Sequence, residues 1–271
     1  MGLCLAFVVS CSPTATAPSA SPTPSPKSVT PTLSPTLTLT RPATFLPTPT
    51  ATENLSLKTE ICSPLAVLSL AQIPTYITQP FIAPALIHNA EHPEWVQKDD
   101  GHHGVDIGYY QINGKLFTGT PVLAALNGQI AAIVHDRPPY GNMLIVETSF
   151  TNIPPTLVEK EHIPEGSSLY TLYAHLQALQ TLTLGEHVTC GQSLAQTGLT
   201  GFTGGPHLHF ETRWGPPNQT FASMAYYRAD ATAEEMKNYS TWRMSAVFHL
   251  FNAMELLGIS STFQLSNFLT F

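Results

Sequence analysis

Short apolar runs broken by glycine, proline and asparagine characterise the middle of this chain. The runs long enough to be strands are residues 121–126, 129–134, 143–147 and 169–173. Many short strands at close spacing are typical of an antiparallel all-β domain. Asn127-Gly128 lies between the first two runs and is a strong signal for a hairpin turn. We therefore predict antiparallel sheets over residues 101–214, with a hairpin at this dipeptide.

The sequence before this domain changes character twice. Residues 12–52 are almost entirely proline, threonine, serine and alanine, a composition that buries too little apolar surface to fold. We predict a disordered tether there, with a reach on the order of 120 Å at roughly 3.1 Å per residue. Residues 55–100 mix apolar pieces with prolines. We predict that this segment packs along the flank of the domain, with a short strand at Leu65–Leu68.

A short helical extension is predicted at the other end, over residues 222–271. Thr232 and Glu235 have the spacing of a capping box, which marks the start of a helix. Residues 242–257 are rich in helix formers and apolar side chains, and Gly258 stands where a glycine often ends a helix. The predicted fold class is thus an all-β antiparallel domain with a disordered N-terminal tether and a helical C-terminal extension of undisclosed role.

The first residues resemble a bacterial export signal. A short apolar stretch leads into Val8-Val9-Ser10-Cys11, which resembles a lipobox, whose cysteine is lipidated and becomes the first mature residue. No lysine or arginine precedes Lys27, so either the start codon lies upstream of Met1 or the chain is not a lipoprotein. We favour the lipoprotein because the tether follows at once. We thus predict a signal over residues 1–11, and an exported protein anchored in the cell-envelope membrane through Cys11.

Composition narrows the class of protein further. The formal net charge is -7, and charged residues make up only 11% of the chain. No basic patch of the kind that binds nucleic acid is present, and we expect a monomer. Of the four cysteines, Cys4 leaves with the signal and Cys11 carries lipid in this interpretation. Cys62 and Cys190 then remain as an even pair in an oxidising compartment, either as a disulfide or as two buried thiols.

Histidine is unusually frequent, with 11 residues against 11 lysines and arginines combined. His102 and Asp106 are four positions apart, so in an extended chain they face the same side while His103 faces away. An imidazole and a carboxylate suit a zinc ion. Alone, however, such a pair is more often a coincidence than a metal site.

Two more histidine groups follow in the same predicted domain. Strand alternation puts His207, His209 and Glu211 on one face of a strand, an arrangement that suits either a metal or the polar side of a half-buried strand. His175 follows an apolar strand, where a single histidine is usually structural. Neither group decides a function by itself.

Taken together and in this order, these motifs resemble the signature of the LytM/lysostaphin-type peptidases, the M23 metallopeptidases. The ordered set is His102-x-x-x-Asp106, Tyr173-Ala174-His175-Leu176 and His207-Leu208-His209. The glycine framework of the family is resembled by Gly119–Gly128, Tyr140-Gly141-Asn142, Val188–Gln192 and Gly198–His207. The resemblance covers residues 100–214 and is highly specific as a set, but it leaves out the tail and the helical end.

The resemblance implies a zinc endopeptidase domain, over residues 101–221, that cuts the peptides of bacterial peptidoglycan. His102, Asp106 and His209 would hold one Zn²⁺, with the fourth position open to water or substrate. His175 and His207 would act as general base and as donor to the oxyanion or leaving amine, in an order that the sequence leaves open.

Two accessory features remain open at this stage. Glu211 either orients a ligand without touching the metal or is an ordinary exposed carboxylate. The stretch between Glu147 and Tyr170 is longer than the turn that the family resemblance leads us to expect. Because loops that frame a groove set substrate access, we expect this stretch to narrow the cleft or shape its specificity.

Two other functions compete with this interpretation. LytM-fold domains that have lost zinc ligands activate cell-wall amidases without catalysis, but all five expected positions are present here. A surface adhesion lipoprotein would need no ordered histidine set. The expected partners are therefore peptidoglycan peptides and, through the lipid anchor, a membrane. Whether the scissile bond lies in a glycine bridge or in a D-amino-acid stem peptide is left open.

Overall fold

Antiparallel strands make up most of the structure, a computed structural model that describes residues 60–108, 110–112 and 114–259. The strands are β1 (Ile77–Gln79), β2 (Gly104–Ile107), β3 (Gln111–Ile112), β4 (Lys115–Leu116), β5 (Pro121–Leu123), β6 (Gly128–Arg137), β7 (Gly141–Ser149), β8 (Ser168–Ala174), β9 (Leu176–Leu179), β10 (His187–Val188), β11 (Ser193–Thr197), β12 (Leu208–Gly215) and β13 (His249–Phe251). The helices are α1 (Pro155–Lys160), α2 (Ala233–Arg243) and α3 (Ala253–Leu256), with 3-10 turns at Leu70–Tyr76 and Phe150–Asn152. The predicted antiparallel all-β fold is confirmed.

One large sheet organises the domain. Its strand order is β1-β2-β12-β8-β7-β6-β10, and β13 also pairs with β12. A smaller sheet has the order β5-β11-β9, and β3 pairs with β4. The apolar runs 129–134, 143–147 and 169–173 lie within β6, β7 and β8, so these three predicted strands are confirmed.

The predicted hairpin at Asn127-Gly128 is wrong. β5 pairs with β11 in the small sheet, whereas β6 pairs with β7 in the large one. The chain turns a corner between them, where the amide of Ala125 donates to the Tyr173 hydroxyl. Gly128 is required for a different reason, because a Cβ there would overlap the carbonyl oxygen of Glu147. The glycine therefore serves a close approach of two strands and not a two-residue turn.

The central strands of the large sheet are buried on both faces. Leu144 and Val146 of β7 face one apolar cluster, and Met143 and Ile145 face another. The second cluster also contains Trp242, so the C-terminal segment covers this face of the sheet. Strands that are buried on both faces are apolar at nearly every position, which explains the unbroken apolar runs in the sequence.

The C-terminal segment differs from the predicted continuous helix over residues 242–257. The capping box of Thr232 and Glu235 is present and begins α2. That helix ends at Arg243, and β13 follows within the stretch predicted to be helical. The reason is an open strand edge: β2 pairs with β12 only as far as Glu211, and β13 takes the edge from Thr212 onwards. Strand pairing here overrides local helix propensity.

The flanking segment packs onto the domain as expected, but its predicted strand is absent. Leu65 forms only an isolated bridge with Val122, and the chain turns directly afterwards. Leu65 and Ile73 are nonetheless fully buried in the core. The structure joins Cys62 to Cys190 in a disulfide with a Cα–Cα distance of 5.6 Å. This bond ties the flanking segment to the turn before β11.

The predicted signal over residues 1–11, with Cys11, and the predicted tether over residues 12–52 lie outside the described residues. Among the residues that are described, no helix is both long and apolar enough to cross a bilayer.

Candidate metal centre and its cleft

Two neighbouring strands bring the three predicted ligands together. His102 lies just before β2, Asp106 lies on β2, and His209 lies on β12 directly opposite Asp106. His102 Nε2 is 3.1 Å from Asp106 Oδ1 and 3.1 Å from His209 Nδ1, and the latter two atoms are 2.8 Å apart. Three donor atoms therefore surround one point, in an arrangement that could hold a metal ion.

The outer nitrogen of each ligand imidazole has its own hydrogen-bond acceptor. His102 Nδ1 is 2.8 Å from the carbonyl oxygen of Pro80, and His209 Nε2 is 3.0 Å from Glu211 Oε1. An N–H that donates outward leaves the lone pair on the other ring nitrogen, which in both residues faces the centre. The surroundings thus select the tautomers that metal ligation requires.

Electrostatics at the centre favour a cation. Burial raises the pKa of the Asp106 carboxyl, but hydrogen bonds from the surrounding imidazoles outweigh it and hold this pKa well below its usual range. Burial lowers the pKa of His209, but hydrogen bonds to Asp106 and Glu211 raise it to about 9. Without a metal, Nδ1 of His209 therefore carries a proton, which faces the Asp106 carboxylate. A metal ion would displace that proton, because a ligating imidazole must be neutral.

The two predicted catalytic histidines lie beside this centre. His175 and His207 have ring centroids 4.8 Å apart, and His207 Nε2 is 3.4 Å from Asp106 Oδ1. His175 Nδ1 is 2.8 Å from the carbonyl oxygen of Thr200, and His207 Nδ1 is 2.9 Å from that of Gly205. In both rings Nδ1–H donates to backbone, so Nε2 is the nitrogen left for chemistry.

His175 has an uncommon backbone conformation. Its φ is 59°, in the left-handed region that side chains with a Cβ rarely adopt. Its amide donates to the carbonyl oxygen of Tyr140, which holds the chain in this conformation between β8 and β9. Burial, aided by the charges of His209 and His207, lowers the pKa of His175 to about 3. The imidazole is therefore neutral near pH 7, and backbone strain of this kind is typical of functional sites.

Glu211 lies beneath the centre and is completely buried. Its Oε1 accepts from His209 and from the Tyr140 hydroxyl at 2.6 Å, and its Oε2 accepts from the indole nitrogen of Trp242 at 3.0 Å. Burial raises the pKa of this carboxyl, but the hydrogen bond from His209 and the charge of Arg213 outweigh it and hold the pKa well below its usual range. The alternative of an ordinary exposed carboxylate is wrong, because Glu211 fixes a ligand imidazole.

The model of peptidase family M23 matches residues 100–221 of this chain. Over these residues the chain is therefore similar to the M23 peptidases. The chain is also 31% identical over 105 residues to the cell division protein DipM of Caulobacter vibrioides (strain NA1000 / CB15N). That alignment covers 39% of this chain and 14% of DipM, so the chain corresponds to a small part of that relative.

Solved structures of two peptidases are also similar. The catalytic domain of the antimicrobial peptidase lysostaphin from Staphylococcus simulans is 22% identical, over 54% of this chain and 86% of that one, with a TM-score of 0.35. A zinc-containing peptidase from Vibrio cholerae is 25% identical, over 57% of this chain and 36% of that one, with a TM-score of 0.32.

His103, next to the first ligand, faces away from the metal centre and is completely buried. Its Nε2 donates to the carbonyl oxygen of Asp100, and its Nδ1 accepts from Arg213 Nη2 at 2.7 Å. Burial and the nearby Arg213 charge lower the pKa of His103 to about 2, so the ring is neutral. Arg213 Nη2 also lies 3.4 Å from Glu211 Oε2. His103 thus holds the guanidinium of Arg213 in place beside the Glu211 carboxylate.

A wall of the cleft comes from the C-terminal extension, a role that the sequence did not reveal. Trp242 and Arg243 at the end of α2 both contact Glu211. Arg243 also donates to the Tyr140 hydroxyl at 3.2 Å and pairs with Asp99 of the flanking segment. Family motifs within residues 100–221 carry no signal for these contacts. They arise because the extension packs across one face of the large sheet.

The cleft has a volume of about 340 Å³ and two exposed aromatic side chains on its rim, Phe202 and Tyr227. The prediction that the long stretch between Glu147 and Tyr170 narrows this cleft is wrong, because none of its residues line it. That stretch joins the far ends of β7 and β8, where Ser149 pairs with Ser168, and there it lines a separate cavity of about 620 Å³.

Proposed function

We propose that this chain is a zinc-dependent endopeptidase that hydrolyses peptide bonds of bacterial peptidoglycan. The observation that carries the proposal is the convergence of His102 Nε2, Asp106 Oδ1 and His209 Nδ1, at separations of 2.8–3.1 Å, beside His175 and His207. The M23 family model supports peptidase activity of this domain.

The donor set fits zinc. Two imidazole nitrogens and one carboxylate oxygen are ligands that zinc accepts, and three protein ligands leave the fourth position that a catalytic site needs. Zinc lies about 2.0–2.2 Å from such ligands, so donor atoms in a tetrahedral array are about 3.3–3.6 Å apart. Outward shifts of a few tenths of an ångström would bring the three atoms from their present separations to these values.

The reaction needs proton transfer as well as a metal. When bound, zinc polarises the scissile carbonyl and lowers the pKa of a coordinated water to near neutrality. His175 and His207 lie beside the centre, and a backbone carbonyl holds Nδ1–H of each ring, so Nε2 is the nitrogen left for proton transfer. One imidazole accepts the proton of the attacking water, and the other donates to the oxyanion or to the leaving amine.

The cell wall is proposed as the substrate on two grounds. The ordered motifs resemble those of the LytM/lysostaphin-type peptidases, and the relative DipM is named as a cell division protein. Export and anchoring through a lipid on Cys11 are proposed from the lipobox-like sequence that precedes the tether. Cys11→Ser would then release the protein from membranes, and unchanged membrane fractionation of this variant would contradict the anchor.

Digestion of purified muropeptides, with the products weighed by mass spectrometry, tests the proposed activity. We expect the zinc-loaded chain to cleave cross-linked peptides and to leave the glycan intact. Zinc-loaded protein that leaves every muropeptide intact would overturn the proposal. If the same protein stimulated a cell-wall amidase instead, the chain would be a non-catalytic regulator.

A further inference from the structure

A charged side chain in the wall of the metal cleft has no part in the proposed chemistry. Arg243 lines the cleft although only 9% of the residue is exposed. Its Nε pairs with Asp99 Oδ1, and its Nη1 contacts the Tyr140 hydroxyl at 3.2 Å and Glu211 Oε1 at 3.5 Å. Within the described part of the chain, Nη2 has no hydrogen-bond acceptor. One N–H edge of a nearly buried guanidinium is therefore left for a ligand.

The surroundings hold Arg243 in one orientation. Its guanidinium carbon lies 5.7 Å from the centroid of the Tyr239 ring. The hydroxyls of Tyr227 and Tyr239 both donate to Asp99 Oδ2, so each oxygen of the Asp99 carboxylate already has a partner inside the wall. A cation fixed in this way loses little conformational entropy when it binds an anion.

The charges around the cleft favour an anionic ligand. Arg213 and Arg243 together balance the carboxylates of Asp99 and Glu211. Asp106 is the remaining carboxylate near the metal centre, and a divalent cation exceeds its charge by one. With a neutral water bound, the loaded site therefore carries a net positive charge, which attracts a carboxylate from the substrate.

We propose that Arg243 Nη2 binds a carboxylate of the substrate peptide, so that the cleft selects acidic stem peptides over uncharged glycine bridges. This inference rests on the proposed endopeptidase function. Glu211 Oε1 lies 3.5 Å from Arg243 Nη1 and 3.0 Å from His209 Nε2, so the guanidinium is close to the metal centre. A single carboxylate oxygen thus bridges the guanidinium and a ligand imidazole. The recognised carboxylate thus belongs to a residue near the scissile bond.

Arg213 offers a matched comparison for Arg243. Both arginines contact Glu211, at 3.4 and 3.5 Å, but Arg213 is completely buried and does not line the cleft. Support of Glu211 is therefore shared by the two residues, whereas recognition of a substrate carboxylate belongs to Arg243 alone.

The test measures kcat/KM of the zinc-loaded full chain on cross-linked stem-peptide muropeptides, before and after amidation of their free carboxylates. A hydrogen bond between charged groups is worth roughly ten- to a hundredfold in affinity. We expect the wild-type protein to prefer the unmodified muropeptides by this factor. Arg243→Gln should bring the ratio of the two rates close to one, whereas Arg213→Lys should keep the wild-type ratio whatever its absolute rate.

Three outcomes would overturn the proposal: equal rates of the wild-type protein on both substrates, an unchanged ratio in Arg243→Gln, or the same loss of ratio in Arg213→Lys. If Arg243→Gln does not fold, Arg243→Lys takes its place, because it keeps the charge but loses the planar fork. Failure of the proposed function has a different signature, since the wild-type protein would then cleave neither substrate.

Discussion

The floor and the wall of the metal cleft differ in how they place their side chains. The floor, β2 and β12, aligns Asp106 and His209 by strand register, which is a local property of two paired strands. The wall, α2, reaches the same centre through Trp242, which lies 31 positions after its partner Glu211. The floor therefore supplies the donor atoms, and the wall supplies a hydrogen bond and a charge that hold Glu211, the acceptor behind His209. The two regions should fail in different ways when they are altered.

Loss of a floor ligand should have the largest effect. His209→Ala removes one of three donor atoms, so we expect both bound zinc and hydrolysis to fall below detection. Zinc stoichiometry and muropeptide cleavage are measured together on the purified variant.

His103→Ala is the control for that change, because this neighbour of His102 faces away from the centre. It should keep zinc but lower the free energy of unfolding by about 1–3 kcal/mol, since it removes a hydrogen-bond acceptor from buried Arg213. Loss of zinc from His103→Ala, with zinc retained in His102→Ala, would show that the assigned strand register is wrong.

A smaller loss is expected beside the floor, at a histidine that serves proton transfer without holding metal. His175→Ala should keep about one zinc per chain and slow turnover by roughly 10²–10⁴-fold, the usual contribution of a positioned acid or base. Single-turnover rates at matched zinc occupancy measure it. A variant that loses zinc would instead make His175 a ligand.

Glu211 joins the floor to the wall, so its alteration sharpens the comparison. Glu211→Gln weakens the acceptor for the N–H of His209 and should lower zinc affinity by roughly 10–100-fold, as is usual for residues that orient a metal ligand. Competition with a chelator measures this affinity. Glu147→Gln is the matched control, because Glu147 is a buried carboxylate on β7 of the same sheet, away from the cleft. Equal affinities of the two variants would show that the wall does not support the metal.

The smallest effect is expected at the start of the wall. The hydrogen bond from Arg137 lowers the pKa of the Glu235 carboxyl from 4.5 to about 2. Because the folded-state pKa lies below the unfolded one, this stabilisation is present above pH 4.5 and is lost as the pH falls towards 2. Urea unfolding over this range should show a shallower pH dependence for Glu235→Gln. The same change at the exposed neighbour Glu234 should leave the wild-type slope, and an equally shallow slope there would contradict the assignment.

The large sheet and the ligands on its floor could largely be predicted from the sequence because their signals are local. Apolar runs indicated β6, β7 and β8, and strand alternation placed His207, His209 and Glu211 on one face. The order of the motifs then indicated which residues share a centre.

The wall and the other long-range contacts could not be predicted, because no local signal states which segment packs on which face. Gly128 matched a hairpin signal, yet its lack of a Cβ serves a close approach to β7. Residues 249–251 lie in a stretch of helix formers, yet they complete the edge of β12 left free by β2. The long stretch between Glu147 and Tyr170 matched an access loop, but strand direction places it at the opposite end of the sheet from His175.

The most direct test of the account is to remove metal from the wild-type chain and restore zinc in measured amounts while muropeptide hydrolysis is followed. The account predicts no hydrolysis by the stripped protein and a linear recovery that stops at about one zinc per chain, because His102, Asp106 and His209 form one centre. Full activity in the stripped protein, or no activity at any zinc content, would contradict it.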